Sequence, residues 1–319
     1  MPGNGIDLDA LLAQAREGSA RAVARLVSLV EDDSPQLPEL MAALAPHAGR
    51  AWVVGITGSP GVGKSTTTSA LVTVLRARGK RVGVLAVDPS SPFSGGALLG
   101  DRVRMGDHAL DPGVYIRSMA TRGHLGGLAR ATPQALRVLD AAGCDVVLVE
   151  TVGVGQSEVA VAGSADTTLV LLAPGMGDGV QAAKAGVLEV ADVLGVNKAD
   201  RDGARATVND LRGMVSLAER RDAGDWRAPV VSLVASRGEG VEDLLEALEK
   251  HRDWATASGE RDRRRRVRVA AEVEEIVLAE LRSRVEGPDG TGLDAVAGDV
   301  VAGRTDPYAA ARTVLDGLG

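Results

Sequence analysis

One short motif, in residues 58–65, constrains the fold of this chain more than any other stretch. It reads G-S-P-G-V-G-K-S and fits the pattern G-x-x-x-x-G-K-[S/T] at every fixed position. A strand-like apolar run precedes it and a helix-like run follows it, which is the context that a phosphate-binding loop requires. Its glycines let backbone N–H groups turn towards phosphate oxygens, and the helix N-terminus adds its dipole. We expect Lys64 to reach the β- and γ-phosphates of a nucleotide and Ser65 to ligate Mg²⁺.

Strand-like and helix-like segments alternate from residue 51 to residue 255. Several strand-like runs are nearly continuous in Val, Leu and Ile, which is typical of parallel strands that are buried on both faces. This alternation predicts an α/β fold, a doubly wound and mostly parallel sheet, with its ligand outside the carboxyl ends of the strands. The predicted strands cover residues 53–57, 82–87, 114–117, 146–150, 168–172, 193–197 and 230–234.

The ends of the chain differ from its middle. Residues 1–50 read as a helical prefix, with Ser19 as a helix cap, and we expect this prefix to pack against the nucleotide domain. Residues 256–319 read as a helical arm that begins with a basic run at residues 261–266. That run has two interpretations, a solvated helix start or a surface for a partner. Three parts are therefore predicted: a prefix, 1–50; a P-loop domain, 51–255; and an arm, 256–319.

Composition narrows the class of protein further. The net charge is −7, which disfavours a general nucleic-acid surface. Cys144 is the single cysteine, so an intrachain disulfide is excluded and a reducing compartment is favoured. No apolar run approaches the ~18 residues that span a bilayer, and the start of the chain lacks the order of a signal peptide. These features predict a cytoplasmic protein without a membrane segment.

A second motif, N-K-A-D at residues 197–200, follows a predicted strand. The Asp200 carboxylate can accept hydrogen bonds from guanine N1–H and N2–H, a donor pair that adenine lacks. Asn197 can bridge the base and a neighbouring loop, and the stem of Lys198 can cover the base face. At residues 234–236 we expect the backbone N–H of Ala235 to meet guanine O6, with Val234 at a position that is commonly Ser. Together with the first motif, this pattern predicts guanine nucleotides as ligands.

A third group of candidate residues lies at or after the ends of the predicted strands 82–87 and 146–150. Glu150 stands where most GTPases carry an Asp that orients a water on Mg²⁺, and the N–H of Gly153 is expected to contact the γ-phosphate. Asp88 and Asp101 are further candidates for the metal side of the site. Val154 occupies the position of the water-orienting Gln of Ras-type GTPases. An aliphatic side chain cannot orient water, so slow intrinsic hydrolysis is predicted.

These motifs occur in one order along the chain: G-S-P-G-V-G-K-S-T, A-V-D-P-S-S-P, E-T-V-G-V-G-Q-S-E, P-G-M-G-D-G and N-K-A-D. Together they closely resemble the MeaB/ArgK group, the methylmalonyl-CoA mutase-associated GTPases of the G3E class. The resemblance covers nearly the whole chain, including its helical ends. Its longer motifs are more distinctive than the phosphate loop alone.

The resemblance implies a GTP-hydrolysing chaperone of an adenosylcobalamin-dependent acyl-CoA mutase, most specifically methylmalonyl-CoA mutase. Such proteins are homodimers joined largely through the arm, and GTP gates cofactor loading and protects the mutase. They use Mg²⁺ with GTP or GDP and hold no tightly bound organic cofactor. Switch loops are implied at residues 88–107, 150–161 and 174–184, with partner-sensitive side chains at Gln156, Gln181 and Lys184.

The candidate residues fall into three sets. Catalytic candidates are Lys64, Asp88, Asp101, Glu150 and Gly153, and the metal candidates are Ser65, Asp88, Asp101 and Glu150. The nucleotide-binding candidates are Gly58, Ser59, Pro60, Gly61, Val62, Gly63, Lys64, Ser65, Thr66, Asn197, Lys198, Asp200, Val234, Ala235 and Ser236.

Three other functions stay open on the sequence alone. A nickel metallochaperone GTPase would need clusters of Cys and His, whereas this chain has one cysteine and four dispersed histidines. A transport-linked ATPase or kinase would need to read adenine, and Asp200 argues against this. A nucleotide-sensing scaffold with negligible turnover is compatible with Val154.

Overall fold

The computed structural model describes residues 6–88, 106–120, 131–151, 157–175, 190–217, 224–286 and 293–317. The chain divides into two compact units, residues 1–262 and 263–319, and each is described by itself. In the described ranges the α-helices are α1 (Leu8–Arg16), α2 (Ala20–Glu31), α3 (Leu37–Leu44), α4 (Lys64–Ala77), α5 (Thr132–Ala141), α6 (Ser157–Ser164), α7 (Ala204–Leu217), α8 (Val241–Ala257), α9 (Glu260–Glu286), α10 (Asp294–Val301) and α11 (Pro307–Asp316).

A seven-stranded sheet forms the centre of the first unit. Its strands are β1 (Trp52–Thr57), β2 (Val82–Asp88), β3 (Val114–Ala120), β4 (Val146–Thr151), β5 (Thr167–Leu172), β6 (Val193–Val196) and β7 (Val230–Ser232). The order is β3-β2-β4-β1-β5-β6-β7, and all six pairings are parallel. The predicted doubly wound α/β fold is therefore confirmed, and each of the seven predicted strands is present.

The two faces of the sheet are covered by different helices. On β2, Leu85 and Val87 join a core with α1, α2, α3 and α5, whereas Val84 joins the core beneath α4 and α8. Val147 and Leu148 of β4 divide in the same way. Successive side chains of a strand point to opposite faces, so a strand covered on both sides is apolar throughout. Each such buried side chain contributes about 1.5–3 kcal/mol.

The helical prefix packs onto one face of the sheet, as its apolar spacing predicts. Asp7 and Ser19 cap α1 and α2, because each side chain accepts a hydrogen bond from a backbone N–H three residues on. Leu26 and Leu40 are fully buried in the core that α5 shares. Arg117 of β3 pairs with a carboxylate at the end of α2. The prefix is thus an integral layer of the first unit.

A buried polar network joins the amino ends of β1, β5 and β6 to α8. The Trp52 indole N–H donates to Thr167 Oγ1 at 3.0 Å, and that hydroxyl lies 2.9 Å from His251 Nδ1. His251 Nε2 lies 3.1 Å from Asp192 Oδ1. The imidazole ring is thereby held between the Thr167 hydroxyl and the Asp192 carboxylate.

Two further indole rings lie against the same histidine. The ring centroids of Trp226 and Trp254 are 5.0 Å and 5.6 Å from that of His251. The Trp226 N–H donates to the Asp192 carbonyl at 2.7 Å. Aromatic side chains make up only 2% of this chain, so this cluster concentrates much of its aromatic surface at one place.

The second unit contains most of α9, together with α10 and α11. Large apolar side chains of α9 are exposed, among them Val273, Ile276 and Val277, each at least half exposed. Asp306 caps α11 by accepting hydrogen bonds from two backbone N–H groups. Among the helices of the described residues, none is long and apolar enough to cross a membrane.

Candidate functional site

The phosphate-binding motif forms the turn between β1 and α4. Gly63 precedes α4 with φ at 95°, and Gly58 has φ at 143°, both in the region that favours glycine. A Cβ on Gly58 would lie 2.2 Å from the Leu171 carbonyl oxygen, and one on Gly63 would lie 2.3 Å from Asn197 Nδ2. The backbone of β5 and the side chain of Asn197 therefore approach this loop so closely that a Cβ at either position would clash.

Lys64 is the first residue of α4 and is buried. Its Nζ donates to the carbonyl of Gly58 at 2.7 Å and to that of Ser59 at 3.2 Å. The ammonium group therefore lies across the mouth of the loop rather than in bulk solvent. A positive charge at a helix N-terminus is suited to phosphate oxygens, which also attract the backbone N–H groups there.

Glu150 places a buried carboxylate beside the start of α4. Its side chain is only 1% exposed, and the Ser65 hydroxyl donates to Oε1 at 2.6 Å. The register of β4 sets this contact, because Glu150 pairs with Ile56 on β1 and with Ala86 on β2. Mg²⁺ prefers oxygen ligands and commonly binds through one or two protein groups plus phosphate oxygens. A hydroxyl whose proton is held by a carboxylate fits that ion.

The N-K-A-D motif contacts the phosphate loop directly. Asn197 Nδ2 donates to the Val62 carbonyl at 2.8 Å, and Lys198 Nζ donates to the Gly61 carbonyl at 2.5 Å. Asn197 is buried, whereas Lys198 has φ at 58°, which is uncommon for a residue with a side chain. The segment that is predicted to read the base and the segment that is predicted to hold phosphate are therefore joined.

The loop after β7 completes this side of the site. Ala235 N–H donates to Asn197 Oδ1 at 3.0 Å, and Val234 pairs with Glu239 across the turn. Asn197 thus bridges both loops, as its donor and acceptor atoms allow. Ser236 is exposed next to them. The contact between the Ala235 N–H and guanine O6 stays a prediction.

Asp200 has a cationic neighbour that sequence reasoning did not single out. Arg237 Nη2 lies 3.1 Å from Asp200 Oδ2, and both side chains are substantially exposed. A carboxylate offers about four lone-pair sites, so one bond from arginine leaves acceptors for two donors of a base. The ion pair therefore holds the Asp200 carboxylate, at the end of the N-K-A-D segment, beside the Arg237 guanidinium.

The structure brings most of the predicted nucleotide-binding residues to one edge of the sheet. These are the residues of the loop 58–66, the N-K-A-D segment and the turn at 234–236, together with Glu150. Asp88 ends β2 at the same edge, but its side chain lies outside the described residues. The positions Asp101, Gly153, Val154, Gln156, Gln181 and Lys184 also lie outside them.

One buried residue of the site was missed in the sequence. Thr68 donates from Oγ1 to Glu150 Oε2 at 2.8 Å, so a second hydroxyl of α4 binds the same carboxylate. The available signal was the unbroken hydroxyl run at residues 65–69. On a helix, residues three apart lie on one side, which places Ser65 and Thr68 together.

Comparisons with known proteins agree with this geometry. The family model described as methylmalonyl Co-A mutase-associated GTPase MeaB matches residues 23–289. A putative GTPase of Pyrococcus abyssi is 46% identical over 311 residues, 97% of this chain and 96% of its own. The GTPase ArgK of Escherichia coli is 38% identical over 255 residues, 78% of this chain and 77% of its own.

A solved structure agrees over the full length. The crystal structure of a LAO/AO transport system kinase superposes with a TM-score of 0.73 at 26% identity, covering 99% of this chain and 98% of that one. A family model over most of the chain, a relative at 46% identity and the geometry of the loop at residues 58–66 lead to one conclusion. The chain belongs to the MeaB family of P-loop GTPases.

Proposed function

We propose that this protein binds GTP with Mg²⁺ at the edge formed by residues 58–66 and 197–200, and hydrolyses it. The observation that carries this proposal is the pair of contacts from Asn197 and Lys198 to carbonyls of the phosphate loop. A base-reading segment that is bonded to the phosphate loop fixes base and phosphates relative to each other. Such positioning contributes much of the catalysis of phosphoryl transfer.

Within this site, Lys64 would neutralise charge on the β- and γ-phosphates, and backbone N–H groups of the loop would bind their oxygens. Ser65 would hold Mg²⁺, with Glu150 fixing the serine proton, and the ion would offset charge that develops on the phosphates. Water would attack the γ-phosphate in line, without a covalent enzyme intermediate. Asp88, Asp101 and Gly153 are proposed on the γ-phosphate and metal side.

Base selection is the sharpest test of this proposal. Asp200→Asn replaces one acceptor oxygen by a donor, so affinity for GTP falls and affinity for xanthosine triphosphate rises relative to GTP. Equilibrium titration with fluorescent GDP, competed by each triphosphate, measures the selectivity. Asp202→Asn, two residues on and exposed, is the matched control and keeps the selectivity for GTP. Unchanged selectivity in Asp200→Asn would remove the guanine-binding proposal.

We propose that the client is an adenosylcobalamin-dependent acyl-CoA mutase, and we favour methylmalonyl-CoA mutase among these enzymes. The description of the family model as a mutase-associated GTPase supports this. GTP binding and hydrolysis would gate cofactor loading and protect the mutase. Affinity capture from extract of the native cell, once with GDP and once with a non-hydrolysable GTP analogue, tests the partner. Recovery of no cobalamin-dependent mutase in either state would refute it.

Hydrolysis is proposed to be slow until the partner binds. Val154 offers no group to orient water, and Gln156, Gln181 and Lys184 are candidates for a partner-sensitive role. Phosphate release with and without the purified mutase distinguishes this proposal from a scaffold with negligible turnover. We expect stimulation by the mutase. A rate that stays near background in both samples would favour the scaffold.

A homodimer through the second unit is also proposed. Val269, Val273 and Val277 follow each other at four-residue spacing on α9, and all three are about half exposed. Exposed apolar stripes of this kind mark interfaces. Light scattering of the full chain is expected to give twice the monomer mass, and Val273→Glu is expected to give the monomer. Arg282→Glu, an exposed charge on the same helix, is the control and stays dimeric.

A transport-linked kinase is the second candidate, because the LAO/AO transport system kinase shares this fold over nearly the whole chain. Asp200 disfavours adenine, so competition by ATP at the guanine site separates the two functions. A metallochaperone has less support, because the chain has one cysteine and four dispersed histidines. The chain has a single cysteine, Cys144, and therefore no intrachain disulfide, which suits the proposed cytoplasmic location.

A further inference from the structure

Glu150 accepts hydrogen bonds from two hydroxyl groups of one helix. Ser65 donates to Oε1 at 2.6 Å and Thr68 donates to Oε2 at 2.8 Å. Thr68 is completely buried, and Glu150 is 1% exposed. Both oxygens of the carboxylate therefore face the first turns of α4, and each of them is held by a separate donor.

The single hydroxyl proton of Thr68 has two acceptors within reach. The Lys64 carbonyl oxygen lies at 3.0 Å and Glu150 Oε2 at 2.8 Å. Hydrogen bonds to a carboxylate are shorter and roughly twice as strong as those to a neutral carbonyl. The proton of Thr68 is therefore directed to Glu150.

The hydrogen bond from Thr68 restrains the second oxygen of Glu150 and so opposes rotation of the carboxylate about its Cγ–Cδ bond. This restraint helps to keep Oε1 directed towards Ser65. The Ser65 proton then stays on Oε1, so its oxygen lone pairs point away from Glu150. Those lone pairs are what Ser65 can offer to a cation at the mouth of the loop.

We propose that Thr68 is a positioning residue for Mg²⁺: by holding the second oxygen of Glu150, it keeps the Ser65 hydroxyl oriented as a metal ligand. This inference rests on the proposed binding of Mg²⁺ and guanine nucleotide. It adds a residue outside the phosphate-loop motif, one turn into α4. The Thr68 hydroxyl bonds Glu150 and the Lys64 carbonyl, so it acts through Glu150 and Ser65, and we expect its effect to be confined to the metal-dependent part of binding.

The test is the affinity for fluorescent GDP in excess Mg²⁺ divided by the affinity in excess EDTA. Thr68→Val keeps the shape of the side chain and removes the donor. We expect this ratio to fall by about tenfold, because a hydrogen bond to a charged group is lost. GDP affinity in EDTA is expected to change less than about twofold, since no contact with the base or phosphates is altered. Thr68→Ser restores the hydroxyl and is expected to restore the ratio.

Thr67→Val is the matched control. Thr67 is equally buried on the same helix, and its hydroxyl donates to the Gly63 carbonyl instead of to Glu150. We expect this variant to lose stability and to keep the wild-type ratio. Should Thr68→Val not fold, Thr68→Ala removes the same hydroxyl donor with a smaller side chain and gives the second comparison.

The outcomes separate the two levels of the proposal. A wild-type ratio in Thr68→Val or Thr68→Ala overturns the role of Thr68 and leaves the proposed function intact, as does failure of Thr68→Ser to restore the ratio. If the wild-type protein binds no GDP, or if its affinity for GDP does not depend on Mg²⁺, both the proposed site and this inference are overturned.

Discussion

Asn197 is the side chain on which the geometry of the site most depends. It donates to the Val62 carbonyl and accepts from the Ala235 N–H, and it is only 3% exposed. Asn197→Ala removes both bonds and leaves a carbonyl and an N–H unsatisfied in the interior. Each unsatisfied group costs about 1–3 kcal/mol, so we expect the two together to lower the free energy of unfolding of the first unit by about 2–6 kcal/mol.

Urea denaturation followed by far-UV circular dichroism measures this loss. The midpoint is expected to fall while the slope m stays unchanged, because the exposed surface on unfolding is the same. Lys198→Met is the matched comparison: it also removes a bond to the phosphate loop, but an exposed one. An exposed polar contact contributes about 0–1 kcal/mol, so this variant is expected to remain near wild type.

The two variants together test whether burial sets the energy of these hydrogen bonds. If burial sets the energy, Asn197→Ala is far less stable than Lys198→Met and binds GDP more weakly. Equal effects on the urea midpoint, or a loss below about 0.5 kcal/mol in Asn197→Ala, would refute the reasoning. The two loops would then be held by other contacts.

Three further predictions concern packing, pH and reactivity. Gly55→Ala places a Cβ 2.5 Å from Val161 Cγ1, and we expect a loss of about 1–3 kcal/mol in a urea titration. Hydrogen bonds from Arg76 and a backbone N–H hold the pKa of Asp111 below its ordinary value of 3.8. Because folding lowers this pKa, the ionised carboxylate contributes stability above the unfolded pKa, and that stability is lost as pH falls through the folded pKa. The Asp111→Asn variant should therefore be less stable than wild type at pH 7, and the stabilities of the two proteins should converge in strong acid. Burial raises the pKa of Cys144 to about 12, so iodoacetamide should label it only in urea, as mass spectrometry can show.

Control variants keep these effects apart from general damage. Gly163→Ala adds a Cβ that meets no atom of the described residues within 4 Å, so it is expected to be neutral or stabilising where Gly55→Ala is costly. Glu246 also has a lowered pKa, through its hydrogen bond to Lys250, but it is fully exposed. Glu246→Gln should therefore show little of the pH dependence that is expected of Asp111→Asn. A similar dependence in both variants would contradict the structural explanation.

The sheet was predictable because its strands are apolar on both faces and are separated by amphipathic helices. The motif residues were also predictable, since Gly63 and Lys64 belong to a pattern with a physical mechanism. The contacts of Thr68, Arg237 and His251 were not, because they join segments that are distant in sequence through side chains of ordinary type. The contact of Glu150 with α4 depends on the register of β4 against β1 and β2, which the local pattern of residues does not determine.

The cluster around His251 has a spectroscopic consequence. The chain has three tryptophans: Trp226 and Trp254 lie against His251, and Trp52 is linked to it through Thr167. Intrinsic tryptophan fluorescence therefore comes from one edge of the first unit. That edge is formed by the amino ends of β1, β5 and β6, whereas the phosphate loop follows the carboxyl end of β1. Tryptophan emission therefore reports whether α8 remains packed against the sheet. Nucleotide occupancy requires a separate label on the ligand, and the two signals can be followed in one sample.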